Sequence, residues 1–579
     1  MRQPKLIFFL LFCFIIATAD AQVRFNGKTA AVDTLTGNWL LSVPRTVFGA
    51  DYDAAVTLGD SLAVCTIEDS VVTDHYTFSN VQPSAVYHLC MASGEDTVRA
   101  NIQFTFWPII QIYGDYVKRP YNHGTVVYTH PDSVCQDSLI SRVRWAGSST
   151  AGEDRKKHNF HLKFYNEDST KHEMSFFGLR SDFHWRLDAG QVDFARVRNR
   201  VAKDIWAEFA HKPYYAAYEP KTPYNYVRGD FVEVFLNDQY MGIYSLNEHM
   251  DRQQLKLKKY DYEDSVFHGG LWKPMMFSAT TTFRNTPAID PTLKHWDEFY
   301  VKYPNIDDVN PTNFVTLRKA ILFAITPREK LYRDSVAYYF DIPVFRDYYL
   351  QTILMQAPDN VGKNLYYACY DVATDRRLTL ALWDMDCTQG QYWSNEGSDY
   401  HHSMVGPEVD FRAGYLKDHY VFRRLWTTFP SFHGLATERY WELRETTFNP
   451  DSILARYEAY FNEMKACGAD QREIARWSYG SDLGGRELNF DNELVYLRNW
   501  WTRHIAYLDQ NVFIPYPMGD VNFDRKVDID DITALIGCLL TGDSDELNLR
   551  RADIVPDERV DIDDLCELIN RVLTGYTEQ

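Results

Sequence analysis

Near its C-terminus the chain repeats itself in register. Val527-Asp-Ile-Asp-Asp531 recurs as Val560-Asp-Ile-Asp-Asp564, and Leu540-Thr-Gly542 recurs as Leu573-Thr-Gly575. Each copy sets acids at positions 1, 5, 9 and 12 of a loop that runs into an apolar helical stripe. With position 3 and the main-chain carbonyl of position 7, the first loop offers Asp520, Asn522, Asp524, Lys526, Asp528 and Asp531. The second offers Asp553, Asp557, Arg559, Asp561 and Asp564, with Val555 at position 3. The glycine usual at position 6 is replaced by Arg525 and Glu558. This is the pattern of an EF-hand-like Ca²⁺ loop, used twice. Four carboxylates gathered by so short a loop repel one another unless a cation sits among them.

The rest of the chain is too long for one core. At 579 residues, two to four domains are expected. A net charge of −20 with no basic tail or stripe argues against nucleic acid as a partner. Residues 1–21 read as a signal peptide: Arg2 and Lys5, an apolar centre over Leu6–Ile16, then Ala19-Asp20-Ala21. No later apolar run is long enough to span a bilayer, so the expected product is exported, as a secreted, periplasmic or cell-surface protein. Cys65 and Cys90, both in β-like runs, are the best disulfide candidates.

Residues 22–130 alternate in short apolar runs broken by turn residues, which predicts an all-β sandwich of accessory type. Residues 135–510 mix strands and helices. SLISRVRW and NFHLKFY read as paired strands around a small-residue loop that ends in Lys156-Lys157. Such a loop lets backbone N–H groups approach a phosphate, and it is also an ordinary hairpin tip. Phe194 to His211 reads as a helix. FVEVFLND and YMGIYSLNEH read as a hairpin turning at Asn237-Asp238 and ending at Glu248. Lys273 closes the run Gly269-Gly-Leu-Trp-Lys273. Lys273 and Glu248 fit the phosphates of a nucleotide, and they fit an exposed salt bridge equally well. Further on, aromatic stripes at helical spacing read as core.

One stretch gathers chemistry. Asp359 and Asn364 bracket a loop in a D-x-x-x-x-N arrangement, a β-hairpin follows, and it ends in Asp384 and Asp386. Hard oxygen ligands on two nearby loops suit Mg²⁺ or Mn²⁺ carrying a nucleotide. The same acids also serve as turn caps, and Asp384 with Asp386 as a glycosidase pair is a weaker reading.

The duplicated tail, residues 518–577, resembles a type I dockerin, a small α module with paired Ca loops that docks onto cohesin domains. Residues 135–510 resemble the CotH family of spore-coat-type, atypical protein-kinase-like proteins. That resemblance rests on Arg144-Trp-Ala-Gly-Ser-Ser149 with Lys156-Lys157, Trp185-Arg-Leu before Arg198-Asn-Arg200, Asn237 to Glu248, Gly270-Leu-Trp-Lys273, and Leu382-Trp-Asp-Met-Asp386. The family's Trp-Asp-x-Asp-x-x-Phe-Gly pattern has Gln389 in place of its aromatic residue. The resemblance implies a multidomain chain whose centre is an α+β kinase-like domain using ATP with Mg or Mn. Lys157, Glu248 and Lys273 then serve the nucleotide, Asp359 is the catalytic base, and Asn364, Asp384 and Asp386 hold metal. The expected activity is phosphate transfer to Ser or Thr of exported proteins. The alternative is a non-catalytic scaffolding component of a dockerin–cohesin, glycan-degrading assembly.

Overall fold

The computed structural model describes residues 23–575, apart from 60–61, 63, 94–95, 148–150, 154, 264, 306–312, 392–414 and 479–486. The expected signal segment lies outside the described residues, as do Ser148, Ser149 and Thr150 of the small-residue loop. The chain is multidomain: a β-rich N-terminal region, a central region that becomes largely helical, and a helical C-terminal module. Two compact units emerge. One holds the residues up to Val197 with Arg228–His249 and Tyr457–Glu493, the other Arg198–Val227, Met250–Arg456 and Leu494 onwards.

The first unit begins with a four-stranded and a six-stranded sheet over residues 23–105. Alternate residues of both sheets, among them Phe25, Val56 and Phe78 from one and Trp39, Leu89 and Phe104 from the other, enter one apolar core. Burying each such side chain contributes about 2–3 kcal/mol before entropy is counted. The proposed Cys65–Cys90 disulfide does not form; both are free thiols. The ladder explains this. Cys65 lies opposite Met91 and Cys90 opposite Thr66, so the two cysteines point to opposite faces of the sheet.

A closed seven-stranded barrel follows. Its order is Ile109–Tyr113, Asn122–Thr129, Gln136–Ala146, Asn159–Tyr165, His184–Asp188, Tyr240–Glu248 and Gly229–Leu236, which pairs in parallel with the first strand. The first two strands were expected within the N-terminal sandwich and belong here instead. Asn122–Thr129 pairs along its whole length with its sequence neighbour Gln136–Ala146, an arrangement a short connection favours. The expected hairpin turn at Asn237-Asp238 is present. Both residues have positive φ, 48° and 57°, as a tight primed turn requires.

In the second unit a five-stranded sheet carries the central hairpin. Leu365–Cys369 pairs with Thr379–Leu382 on one side and with Gly270–Pro274 on the other. Leu271, Tyr366, Ala381 and Trp383 pack on one of its faces. The helix Ile342–Met355 packs against the strand Thr379–Leu382, and the helices Arg198–Phe209 and Pro430–Arg444 pack against that helix. The C-terminal module pairs the helices Ile529–Thr541 and Ile562–Thr574 over a small core of Val521, Leu535, Ile554 and Leu568. Phe523 from its first loop presses on the helix Pro430–Arg444 at Gly434. A Cβ there would lie 2.0 Å from the Phe523 ring, so only glycine fits.

Candidate functional site

The acids of the central hairpin are positioned by one buried amide. Asn360, 1% exposed, donates through Nδ2 to the carbonyls of Asn364 (3.0 Å), Trp383 (2.7 Å) and Asp384 (3.2 Å). Its own carbonyl accepts from the Tyr348 hydroxyl at 2.6 Å. The loop before the hairpin and the loop after it are therefore fastened to one side chain. Both loops are strained at the residues of interest. Asn364 has φ 54° and Asp384 φ 58°, left-handed values that cost a residue with a side chain about 1–2 kcal/mol. Strain of this kind persists where surrounding bonds fix it, and such places cluster at functional sites.

Asp359 occupies a single turn, Pro358–Asn360, and its side chain is 35% exposed. Asn364 Nδ2 donates to its Oδ2 at 2.9 Å, and Lys363 approaches Oδ1 at 2.9 Å. Neighbouring residues thus have different parts: Asn360 fastens, and Asp359 presents a carboxylate. Asp384 and Asp386 are half-buried beyond the end of the strand, which stops at Leu382. Met385 N donates to Asn199 Oδ1 at 3.0 Å, so the helix Arg198–Phe209 also holds this loop. Gln389 is fully buried, donating through its side chain to the Arg198 carbonyl at 3.2 Å and through its backbone N–H to Met355 at 2.7 Å. Polar anchoring thus replaces the aromatic packing that the sequence pattern leads one to expect. The donor set of Asn364, Asp384 and Asp386, an amide and two carboxylates, suits a hard divalent cation.

Lys273 stands on the strand next to the hairpin. Its Nζ lies 4.9 Å from the ring centre of Trp383, the residue before Asp384, and 5.2 Å from that of Tyr366.

The first unit places the other two nucleotide candidates. Glu248 is 1% exposed and accepts from Arg228 through Nε (3.0 Å) and Nη2 (2.7 Å). Lys157 is 2% exposed and donates to Glu473 Oε1 and to the Ile243 carbonyl, both at 2.8 Å. Arg196 Nε also reaches Glu473 Oε1, at 2.7 Å. Burial pushes the Lys157 ammonium down to about 7. Burial opposes the Glu473 charge as well, but Lys157 and Arg196 together hold its carboxyl below the usual range. Lys157, expected to meet a phosphate, has its ammonium engaged inside the barrel by a partner 316 residues away. Gly242, between Met241 and Ile243 of the expected hairpin, shows why. It has φ 92°, and a Cβ there would meet Glu473 Oε2 at 1.9 Å. Nothing in the local sequence identifies Glu473.

The tail loops keep the geometry of their pattern. Asp531 accepts from the N–H groups of Val521 (2.8 Å), Asn522 (3.2 Å) and Asp528 (2.9 Å), and Asp564 does the same for Ile554, Val555 and Asp561. Asp520 is fully buried, and burial, with Asp531 and Asp524 beside it, pushes its carboxyl up to about 6. Such crowding of acids suits a cation. Arg525 and Glu558 adopt φ 68° and 64°, the conformation that the missing glycines would supply. The second loop is the poorer one. Val555 is 39% exposed and offers no oxygen, and Arg559 lies 3.4 Å from Asp561.

The family model for CotH kinase protein matches residues 143–508, more than half of the chain. This chain belongs to the CotH family. The Dockerin type I domain model matches residues 518–573, so the protein is a dockerin-tethered CotH-family member. Dockerin domains bind calcium and typically dock onto cohesins, and proteins that carry them are typically extracellular or on the cell surface. Among the described residues no helix is long and apolar enough to cross a membrane. Comparison with curated proteins gave no match.

Proposed function

We propose that this CotH-family protein is an exported protein kinase, transferring phosphate from ATP to Ser or Thr of other exported proteins while its dockerin holds it at a cohesin. The observation that carries this reading is the Asn360 clamp, which joins the loop of Asp359 and Asn364 to the loop of Asp384 and Asp386. Phosphoryl transfer asks a protein mainly for positioned charge and a base. A bound Mg²⁺ or Mn²⁺ would neutralise phosphate charge, and Asn364, Asp384 and Asp386 are the residues to hold it. Asp359 would take the proton of the attacking hydroxyl at a carboxylate oxygen, with Lys363 2.9 Å from that carboxylate. Lys273, against Trp383, stands near enough to the acidic loop to meet a phosphate. Incubating the purified protein with radiolabelled ATP and Mg²⁺ or Mn²⁺ tests the reading. Label transferred by the parent and lost in Asp359→Asn supports it, and absence of any transfer refutes it.

A second reading is favoured by Lys157, whose engagement with Glu473 removes one of the expected phosphate contacts. In it the CotH domain is a non-catalytic scaffold of a cohesin-bound, glycan-degrading assembly. Nucleotide binding in the presence of Mg²⁺ separates the two, since a scaffold has no use for it.

A further inference from the structure

Three histidines meet on the outer face of the barrel. His161 lies on the strand Asn159–Tyr165, His184 opens the strand His184–Asp188, and His249 follows Tyr240–Glu248. The ladder brings them to one face. Arg144, His161, Arg186 and Asn247 form one cross-strand row, and Arg142, Lys163 and His184 form the next. His249, two residues beyond Asn247, shares that face by strand alternation. One ring nitrogen from each histidine lies within 4.8 Å of the other two. His161 Nδ1 and His184 Nε2 are 3.1 Å apart, and the His184 and His249 rings stack at 3.9 Å.

We propose that His161, His184 and His249 form a divalent transition-metal site, best suited to Zn²⁺, whose fourth position takes an anionic ligand. Three imidazoles and no carboxylate select a borderline metal over Ca²⁺ or Mg²⁺. With Zn–N bonds of about 2.0–2.1 Å, neighbouring nitrogens of a tetrahedral site stand about 3.4 Å apart. The His161–His184 pair is already near that spacing, and rotation of the His249 ring brings in the third. Two hydrogen bonds to the main chain fix the segments that carry the rings: the His184 backbone N–H donates to Asp182 Oδ1 at 3.1 Å, and Arg180 donates to the His249 backbone carbonyl at 2.9 Å. When the metal binds, the proton shared by His161 and His184 moves to a far ring nitrogen, and no co-reactant is needed.

The cations around the cluster define the fourth ligand. Arg144 and Arg186 flank His161 on either side, and Lys163 neighbours His184. A dication held by three neutral ligands adds charge to a face that is already positive, so an anion at the open position stabilises the whole. A phosphate or carboxylate oxygen fits.

Cobalt(II) is the probe. The full-length protein, saturated with Ca²⁺ to fill the dockerin loops, is titrated with Co²⁺ and followed by visible absorption. One equivalent is expected to give the intense bands of a tetrahedral N-ligated ion, and inorganic phosphate is expected to shift them. His184→Ala, folded as judged by circular dichroism, is expected to lose the bands, and His249→Gln to weaken binding at least tenfold. No tetrahedral bands in the parent, or bands unchanged in His184→Ala, overturns the site. Bands indifferent to phosphate and acetate overturn the anionic fourth ligand.

Discussion

Asn360 Nδ2 lies 2.7 Å from the carbonyl of Trp383, 23 residues further along the chain. That bond closes the candidate site, because Asp384 follows Trp383 and Asn364 hangs from the same amide. Asn360→Asp keeps the shape, removes the donor and turns a carboxylate onto three carbonyls. A loss of about 3–5 kcal/mol of stability, the cost of an uncompensated buried charge, is expected together with loss of phosphate transfer. An unchanged denaturant midpoint in Asn360→Asp would show that the clamp does not hold the loops.

Asp384→Asn should abolish phosphate transfer and leave the melting temperature nearly unchanged. Asparagine tolerates the left-handed φ of 58° better than alanine, so the loop keeps its path while the charge goes. Lys273→Met should cut turnover or nucleotide affinity by about a hundredfold, as expected when a few kcal/mol of electrostatic stabilisation is removed. Equal activity in either variant and the parent counts against the assignment. Melting curves with and without Mg-ATP read the Lys273 effect directly.

Within the barrel the order of two effects is predicted. Glu473→Gln leaves Lys157 and Arg196 facing a neutral amide, both buried, and should cost about 3–5 kcal/mol. Lys157→Met leaves the Arg196–Glu473 pair intact and should cost less, about 1–3 kcal/mol for the lost hydrogen bonds. Urea titrations of both variants settle the order, and the reverse order refutes this account of the ion cluster.

Removing Ca²⁺ should melt the tail beyond Met518 before the rest of the chain. The first loop should bind Ca²⁺ more tightly than the second, because Val555 and the Arg559–Asp561 contact deprive the second of oxygens. Glu558→Gly relieves a left-handed residue, and about 1 kcal/mol of added stability is expected in the loaded tail. Calorimetry showing two equal sites, or no gain from Glu558→Gly, contradicts the prediction.

Asp341 supplies a pH dependence. Burial pushes its carboxyl up to about 6, although it accepts from the Tyr214 N–H at 2.9 Å. The folded state thus holds this proton more tightly than the unfolded chain, whose aspartates titrate near 3.9. The resulting stabilisation is fully present below about pH 4 and is lost as pH rises through 6, at most about 3 kcal/mol in all. Asp341→Asn should remove that dependence. Relative to the parent it should therefore melt higher at pH 7.5 than at pH 5. A difference between the two proteins that is the same at both pH values excludes the burial argument.

Elements whose causes are local can be read from the residues alone. The duplicated acids, the helices after them, the hairpin after Asn364 and the turn at Asn237-Asp238 follow from periodicity and turn chemistry, and each is found. The cluster of Asp359, Asn364 and Asp384 was legible because its members are close in sequence. Tertiary structure alone decided the rest. Lys157 reads as a phosphate ligand until Glu473 folds onto it from the far end of the chain, and Cys65 and Cys90 read as a bridge until the register turns them apart. The strands Ile109–Tyr113 and Asn122–Thr129 carry the same alternation as the N-terminal sheets, and only their pairing assigns them to the barrel. His161, His184 and His249 are scattered singly in sequence and meet only through strand register. A side chain's type and spacing fix what it can bind, but burial and long-range pairing decide what it does bind. Those are properties of the closed fold, absent from any local window of sequence.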